Sequence, residues 1–337
     1  MFWLRTPQKL YIKKGCLSVA LDELRTVYGK KKAFIVTDKN LYKYGKLSTL
    51  EDNLNLMGIQ HICFYAVEGK ADIKAVTSGA KQASLFEPDV IIGFGNNAAI
   101  DSSKLIRLMY EYPDVSLSEL SGKFNDIMSR EGKFPKLGSK SILVTIPDIS
   151  GNASEVSPYA VIADGEDELI FADYELMPDM AVIDGDLMLP ENKSLSADAG
   201  LNTLVRAVNA YDSVSATEYT DGFAIEAIKG VFEYLPSVIE NGANDPRGCE
   251  KLGEASAMAG IAYANTESII SVDGSAPYLA DVVRLSAADN EVSAARYAAL
   301  ADALGLPGDS EDERVTSFIN KIGELVSLCG LDNKKCE

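Results

Sequence analysis

The chain has 337 residues, 47% apolar and 24% charged, so it can bury cores of ordinary size and its length allows two domains. A formal net charge of −18 argues against nucleic acid, whose phosphates need a positive surface, and against anionic membranes. One histidine, His61, excludes any mechanism or metal site that needs two.

The elements open with a strand at 9–13 and a helix at 17–27. A continuous apolar run at 33–37, Ala-Phe-Ile-Val-Thr, then ends at Asp38. Such runs suit a parallel strand buried on both faces. A helix at 48–57, a strand at 60–67 and a helix at 72–85 follow. His61 reads as a strand residue near a surface. Asp89-Val-Ile-Ile-Gly-Phe is another buried strand, running into Gly95-Asn-Asn-Ala-Ala-Ile-Asp-Ser-Ser-Lys and a helix to about Glu111. Strands recur at 141–146, 156–163 and 180–183. This alternation makes residues 1–187 an α/β domain with a mainly parallel sheet.

Beyond Pro190 strand-like runs nearly vanish. Helical periodicity recurs at 196–214, 217–240, 247–265, 290–304 and 310–328, with breakers such as Asn241-Gly-Ala-Asn-Asp-Pro between. Residues 188–337 are therefore expected to form an all-α domain. The five cysteines are scattered without a Cys-x-x-Cys spacing, which suits reduced thiols in the cytoplasm. The first residues lack a long apolar run, so neither a signal peptide nor a membrane span is expected.

In open α/β sheets, ligands sit outside the carboxyl ends of the strands. Gly93-Phe-Gly-Asn-Asn-Ala-Ala-Ile-Asp lies there. It can offer backbone N–H groups and a helix N-terminus to a phosphate, or be a tight strand-to-helix turn. Asn96 and Asn97 tolerate the left-handed conformation better than most residues. Asp38 is placed to bind a ribose hydroxyl or, equally, to cap a helix. A second loop, Ile146-Pro-Asp-Ile-Ser-Gly-Asn-Ala-Ser-Glu, carries Asp148, which would repel a phosphate beside it.

Residues 196–213 read as one amphipathic helix. Leu201, Leu204, Val205 and Val208 share an apolar face, and Asp198, Asn202, Arg206 and Asn209 line another. A spacing of four would let two ligands reach one metal, but an Asn and an Arg are the wrong residues for it.

Several segments together resemble the iron-containing alcohol dehydrogenase family, in particular the C-terminal alcohol dehydrogenase module of bifunctional aldehyde-alcohol dehydrogenases. They include Lys9-Leu-Tyr-Ile-Lys-Lys-Gly-Cys-Leu, Lys32-Ala-Phe-Ile-Val-Thr-Asp-Lys, Phe86-Glu-Pro-Asp-Val-Ile-Ile-Gly, Ala172-Asp-Tyr-Glu-Leu-Met-Pro-Asp and Met258-Ala-Gly-Ile-Ala-Tyr-Ala-Asn. The resemblance implies the dehydroquinate synthase-like architecture, with a dinucleotide-binding domain, a helical metal domain and an active site in the cleft between. It puts the cofactor contacts at Asp38, Gly95, Asn96, Asn97, Asp101, Asp148 and Ile149.

The sites depart from the family's pattern. Its Gly-Gly-Gly-Ser-Pro-x-Asp corresponds to Gly95-Asn-Asn-Ala-Ala-Ile-Asp101, and its Pro-Thr-Thr-x-Gly-Thr-Gly-Ser-Glu to Pro147-Asp-Ile-Ser-Gly-Asn-Ala-Ser-Glu155. By the same resemblance the metal-ligand positions fall on Asn202, Arg206 and the region of Val272, so neither iron nor zinc is expected. NAD(H) is expected to bind only weakly. Arg206 is expected to fill the lost ion's place, pairing with Asp198.

These features imply a relative inactive in NAD(P)-linked alcohol oxidoreduction, structural or regulatory, forming homo-oligomers or hetero-oligomers with an active family member. The alternative is an NAD(P)-dependent oxidoreductase with altered, metal-independent chemistry in the interdomain cleft, with Lys104 and Glu155 as acid/base candidates.

Overall fold

The computed structural model describes residues 4–43, 45–67, 69–122, 134–151, 153–188, 193–266 and 276–331. The chain divides into two compact units, Thr6–Met188 and Leu189–Glu337 with Met1–Arg5.

The first unit runs β1 (Lys9–Ile12), α1 (Leu17–Thr26), β2 (Lys32–Asp38), α2 (Lys39–Lys43), α3 (Ser48–Leu56), β3 (Gln60–Val67), α4 (Ile73–Phe86), β4 (Val90–Gly95), α5 (Asn97–Glu111), α6 (Leu117–Leu120), β5 (Ile142–Pro147), β6 (Tyr159–Asp164), β7 (Asp167–Ala172) and β8 (Met180–Ile183). Six strands form one sheet in the order β1-β8-β5-β4-β2-β3, and every neighbouring pair is parallel.

The apolar runs explain why both faces are covered. Successive side chains point to opposite faces of a sheet. Phe34, Val36, Ile91 and Leu143 pack with Val76, Ala83, Leu105 and Ile106 of α4 and α5. Ala33, Ile35, Ile92 and Val144 pack on the other face with Leu21 and Leu24 of α1 and Leu50 and Leu54 of α3. Strand β3 lies at an edge and alternates in exposure. His61 sits there, its Nδ1 3.4 Å from the Ile59 carbonyl oxygen and its Nε2 3.9 Å from Glu51 Oε1.

The strand expected at 156–163 is β6, which starts later, at Tyr159, after a short 3₁₀ turn at Ser154–Val156, and pairs with β7 in a hairpin that the sequence does not announce. The hairpin is antiparallel and stands outside the main sheet.

The second unit contains α7 (Lys193–Tyr211), α8 (Glu218–Asn241), α9 (Pro246–Ala264), α10 (Leu279–Asp289), α11 (Glu291–Ala303) and α12 (Glu311–Leu328). Helix α7 contributes Leu201, Leu204, Val205 and Val208 to its core, as the periodicity predicts. Helices α7 and α8 approach closely at Gly200, where a Cβ would lie 2.5 Å from the Leu235 methyls. Among the described residues no helix is long and apolar enough to cross a membrane. Cys16, Cys63, Cys249 and Cys329 are in no disulfide among the described residues, and Cys336 lies outside them.

Candidate functional sites in the two units

Strand order locates the first site. β3 lies on one side of β2 and β4 on the other, so the order reverses between β2 and β4. Ligands of open parallel sheets bind at such a reversal, outside the carboxyl ends. Asp38 ends β2 and Gly95 ends β4. Pro147 ends β5 opposite Gly95, and the Asp148 backbone N–H donates to the Gly95 carbonyl oxygen at 3.4 Å. Asp38, Gly95 and Asp148, expected as cofactor contacts, therefore meet at the carboxyl ends of three adjacent strands. Asn96 and Asn97 open α5 directly after β4, and the half-buried Ile149 follows Asp148.

Two of these side chains, Asp38 and Asn96, already have a local task. Asp38 Oδ1 accepts from the backbone N–H groups of Asn40 at 2.7 Å and Leu41 at 2.9 Å, so it caps α2. Asn96 caps α5, its Oδ1 accepting from the Ala99 N–H at 3.2 Å. Gly95 has φ +131°, which favours glycine, and a Cβ there would lie 2.8 Å from Leu41 Cδ1 and 3.7 Å from Asp38 Oδ2. The left-handed conformation available to Asn96 and Asn97 is not used. Asn96 is extended at φ −75°, and the non-glycine residues with positive φ among those described are Glu87 and Ala153. Hydrogen bonds within the turn are satisfied by capping, which needs no left-handed residue. Asn97 Oδ1 is shut off from solvent without a hydrogen-bond partner among the described residues.

Asp101 is drawn away from that site. Its Oδ2 accepts from the Val161 N–H at 3.0 Å, tying α5 to β6. One turn on, Lys104 is fully buried, and its Nζ donates to the carbonyl oxygens of Ser157 at 2.9 Å and Tyr159 at 2.5 Å. Burial pushes its ammonium down to about 8, against the pull of Asp101 and Glu155. Glu155 is 1% exposed. The expectation that Lys104 and Glu155 serve as acid and base is corrected. Both are sealed in the interior, and a general acid or base must come within hydrogen-bond reach of a substrate.

The second site lies on α7. Asn202 is half-buried and Arg206 is 8% exposed, one helical turn further on. Asp198 is exposed, and no ion pair joins it to Arg206, contrary to expectation. Eight residues of helix rise about 12 Å, beyond an arginine's reach. Val272, the third position of the sequence comparison, lies outside the described residues. Among the described residues no group of three or more His, Cys, Asp and Glu could hold a metal ion.

Residues 7–185 match the iron-containing alcohol dehydrogenase family, and residues 196–271 match the C-terminal part of the Fe-containing alcohol dehydrogenase family. The chain belongs to the iron-containing alcohol dehydrogenase family. It is 38% identical over 354 aligned positions to an aldehyde-alcohol dehydrogenase of Clostridium acetobutylicum, covering 96% of this chain and 41% of that protein. It is 35% identical to the bifunctional aldehyde-alcohol dehydrogenase of Escherichia coli, covering 98% of this chain and 40% of that one. The chain thus spans about two fifths of the length of these relatives. The iron-containing alcohol dehydrogenase of Thermococcus thioreducens superposes with a TM-score of 0.87 at 25% identity, covering 100% of this chain and 89% of that one.

Within this iron-containing alcohol dehydrogenase fold, sequence reasoning missed two contributors. Leu41 packs where a Cβ on Gly95 would point, and only the fold brings β2 and β4 together. The sequence places Gly93 in a loop that either offers N–H groups to a phosphate or turns tightly into the helix, and gives it no packing role of its own. A Cβ there would lie 2.4 Å from Ser103 Oγ and 3.2 Å from the Ile100 Cα, so its role is to let α5 lie close on β4.

Proposed function

We propose that this chain is an iron-containing alcohol dehydrogenase relative that does not carry out metal-dependent, NAD(P)-linked alcohol oxidoreduction. It acts instead as a structural or regulatory component, assembling with copies of itself or with an active family member. The observation that carries this reading is Arg206 on α7, buried and one turn from Asn202. A guanidinium has five donors, no acceptor and no accessible deprotonated form, so it cannot ligate a cation. An amide oxygen binds a divalent ion far less well than a carboxylate. This pair does not fit iron or zinc, and without the ion nothing of that kind polarises an alcohol oxygen for hydride loss.

The alternative, an oxidoreductase with altered chemistry, draws no support from Lys104 or Glu155, both of which are interior.

Metal analysis of the purified chain, with NAD+-linked alcohol oxidation measured on the same sample after adding Fe(II) or Zn(II), tests the first part. The expected result is metal well below one ion per chain and no turnover. One ion per chain with turnover overturns it. For the second part the chain is mixed with an active family member. Co-assembly with a changed rate supports the regulatory role, and neither effect removes it.

A further inference from the structure

A dinucleotide needs a particular chemistry at the strand-order reversal. Its pyrophosphate is held by backbone N–H groups and the positive end of the helix dipole, and a glycine lets the backbone come close. In this chain that place is the turn from β4 into α5.

We propose that this turn excludes the pyrophosphate of a dinucleotide, and that the Asp148 carboxylate is the group that excludes it. This inference uses the Thr6–Met188 unit alone and is independent of the metal content of the chain.

Three observations carry it. First, Asp148 is fixed beside the turn. The β4–β5 register sets Pro147 opposite Gly95, and the Asp148 N–H donates to the Gly95 carbonyl oxygen at 3.4 Å. Asp148 is half-buried and its Oδ1 is shut off from solvent. Second, a further carboxylate lies on the opposite side of Gly95. Asp38 Oδ1 is held by two backbone N–H groups, and Asp38 Oδ2 is 3.7 Å from where a Cβ on Gly95 would be. Carboxylates near this turn oppose the partial positive charge that the α5 dipole would offer a pyrophosphate. Third, the space that glycine usually leaves for a ligand is filled. Leu41, 4% exposed, has Cδ1 2.8 Å from the missing Cβ of Gly95. Gly95 accommodates Leu41, and its positive φ serves the turn.

The first-turn donors are partly spent as well. Asn96 Oδ1 holds the Ala99 N–H at 3.2 Å. Asn97 Oδ1 adds a buried acceptor to a place where phosphate needs donors. The residues present do not fit a dinucleotide.

The test is titration of the full chain with NADH, followed by cofactor fluorescence and by calorimetry. Wild type is expected to show no saturable binding up to about 1 mM, the upper end of ordinary KM values. Asp148→Asn removes the charge at constant shape and is expected to raise affinity at least about tenfold, an effect worth about 1.4 kcal/mol. Asp148→Ser is the second variant, in case the first fails to fold, and circular dichroism reports folding for both. Saturable micromolar NADH binding by wild type overturns the proposal. Folded variants that bind no better than wild type overturn the assignment to Asp148. Neither result bears on metal content, so the outcome stays separate from the fate of the metal reading.

Discussion

Lys104 Nζ donates to the Ser157 carbonyl oxygen at 2.9 Å from a side chain with no solvent exposure, pinning α5 beneath the turn that leads into the β6–β7 hairpin. Asp101 Oδ1 lies 4.0 Å away, and Glu155 also pulls on the ammonium. Removing one member of a buried charge group leaves the others uncompensated. Lys104→Met is therefore expected to lower stability by about 3–5 kcal/mol, read from urea midpoints at pH 7. The pH dependence has a definite sign. The folded-state value is about 8, below the ordinary 10.5. Between these limits the unfolded chain holds a proton that the folded chain has released, so the lysine's contribution to stability rises with pH. The gap between wild type and variant should widen from pH 8 to 10. A constant gap would show that Lys104 stays charged.

Gly93 is expected to tolerate no Cβ. Ser103 Oγ would be 2.4 Å from it, and the backbone of Ile100, at 3.2 Å, cannot rotate away. Gly93→Ala should cost about 1–3 kcal/mol, the range for overpacking a close-packed interior. Equilibrium unfolding measures it, and a neutral result would mean that α5 can lift from β4.

How far the chain could be read from its residues depended on whether a signal was local. β2 and β4 were legible because strands buried on both faces write themselves as unbroken apolar runs. Strand β7 was not, because it begins with the charged pair Asp167-Glu168 and stands in a small hairpin outside the main sheet. Helix α10 was missed because it lacks a single apolar stripe. Leu279 and Val283 are buried while Val282 and Leu285 are exposed. At the site, Asp38 was read as a ribose contact or a helix cap, and the structure shows it capping through Asn40 and Leu41. The Lys104 contacts were out of reach, since its partners lie 53 and 55 residues along the chain.

Helix α4 ends on Glu87, exposed and left-handed at φ 54°, with its N–H donating to the Ala83 carbonyl oxygen at 2.8 Å. The left-handed region costs a residue with a Cβ about 1–2 kcal/mol, and glycine loses part of that advantage to its freer unfolded state. Glu87→Gly should raise stability by about 0.5–1 kcal/mol. A thermal melt would show a higher Tm, and a lower Tm would mean that the Glu87 side chain makes a compensating contribution.

Glu111 gathers the backbone between α6 and β5. Its carboxylate accepts from the N–H groups of Gly138 and Ser139 at 2.9 Å, from the Ser141 N–H at 3.2 Å, and from both serine hydroxyls. Arg107 Nε lies 3.5 Å from it. Burial works to raise its pKa, but the Arg107 charge and the hydrogen bonds from Ser139 and Ser141 outweigh that and hold it below 4.5. A carboxylate depressed in the folded state contributes stability that is complete above its unfolded value and is lost as pH falls through the folded one. Glu111→Gln keeps the shape but loses the charge and turns one acceptor into a donor, which then faces other donors. It should cost about 1–3 kcal/mol at pH 7. As pH falls below 4.5, wild type alone loses this contribution, so the two unfolding midpoints should converge. Curves that stay parallel down to pH 3 would mean that Glu111 gains nothing from its ionised form.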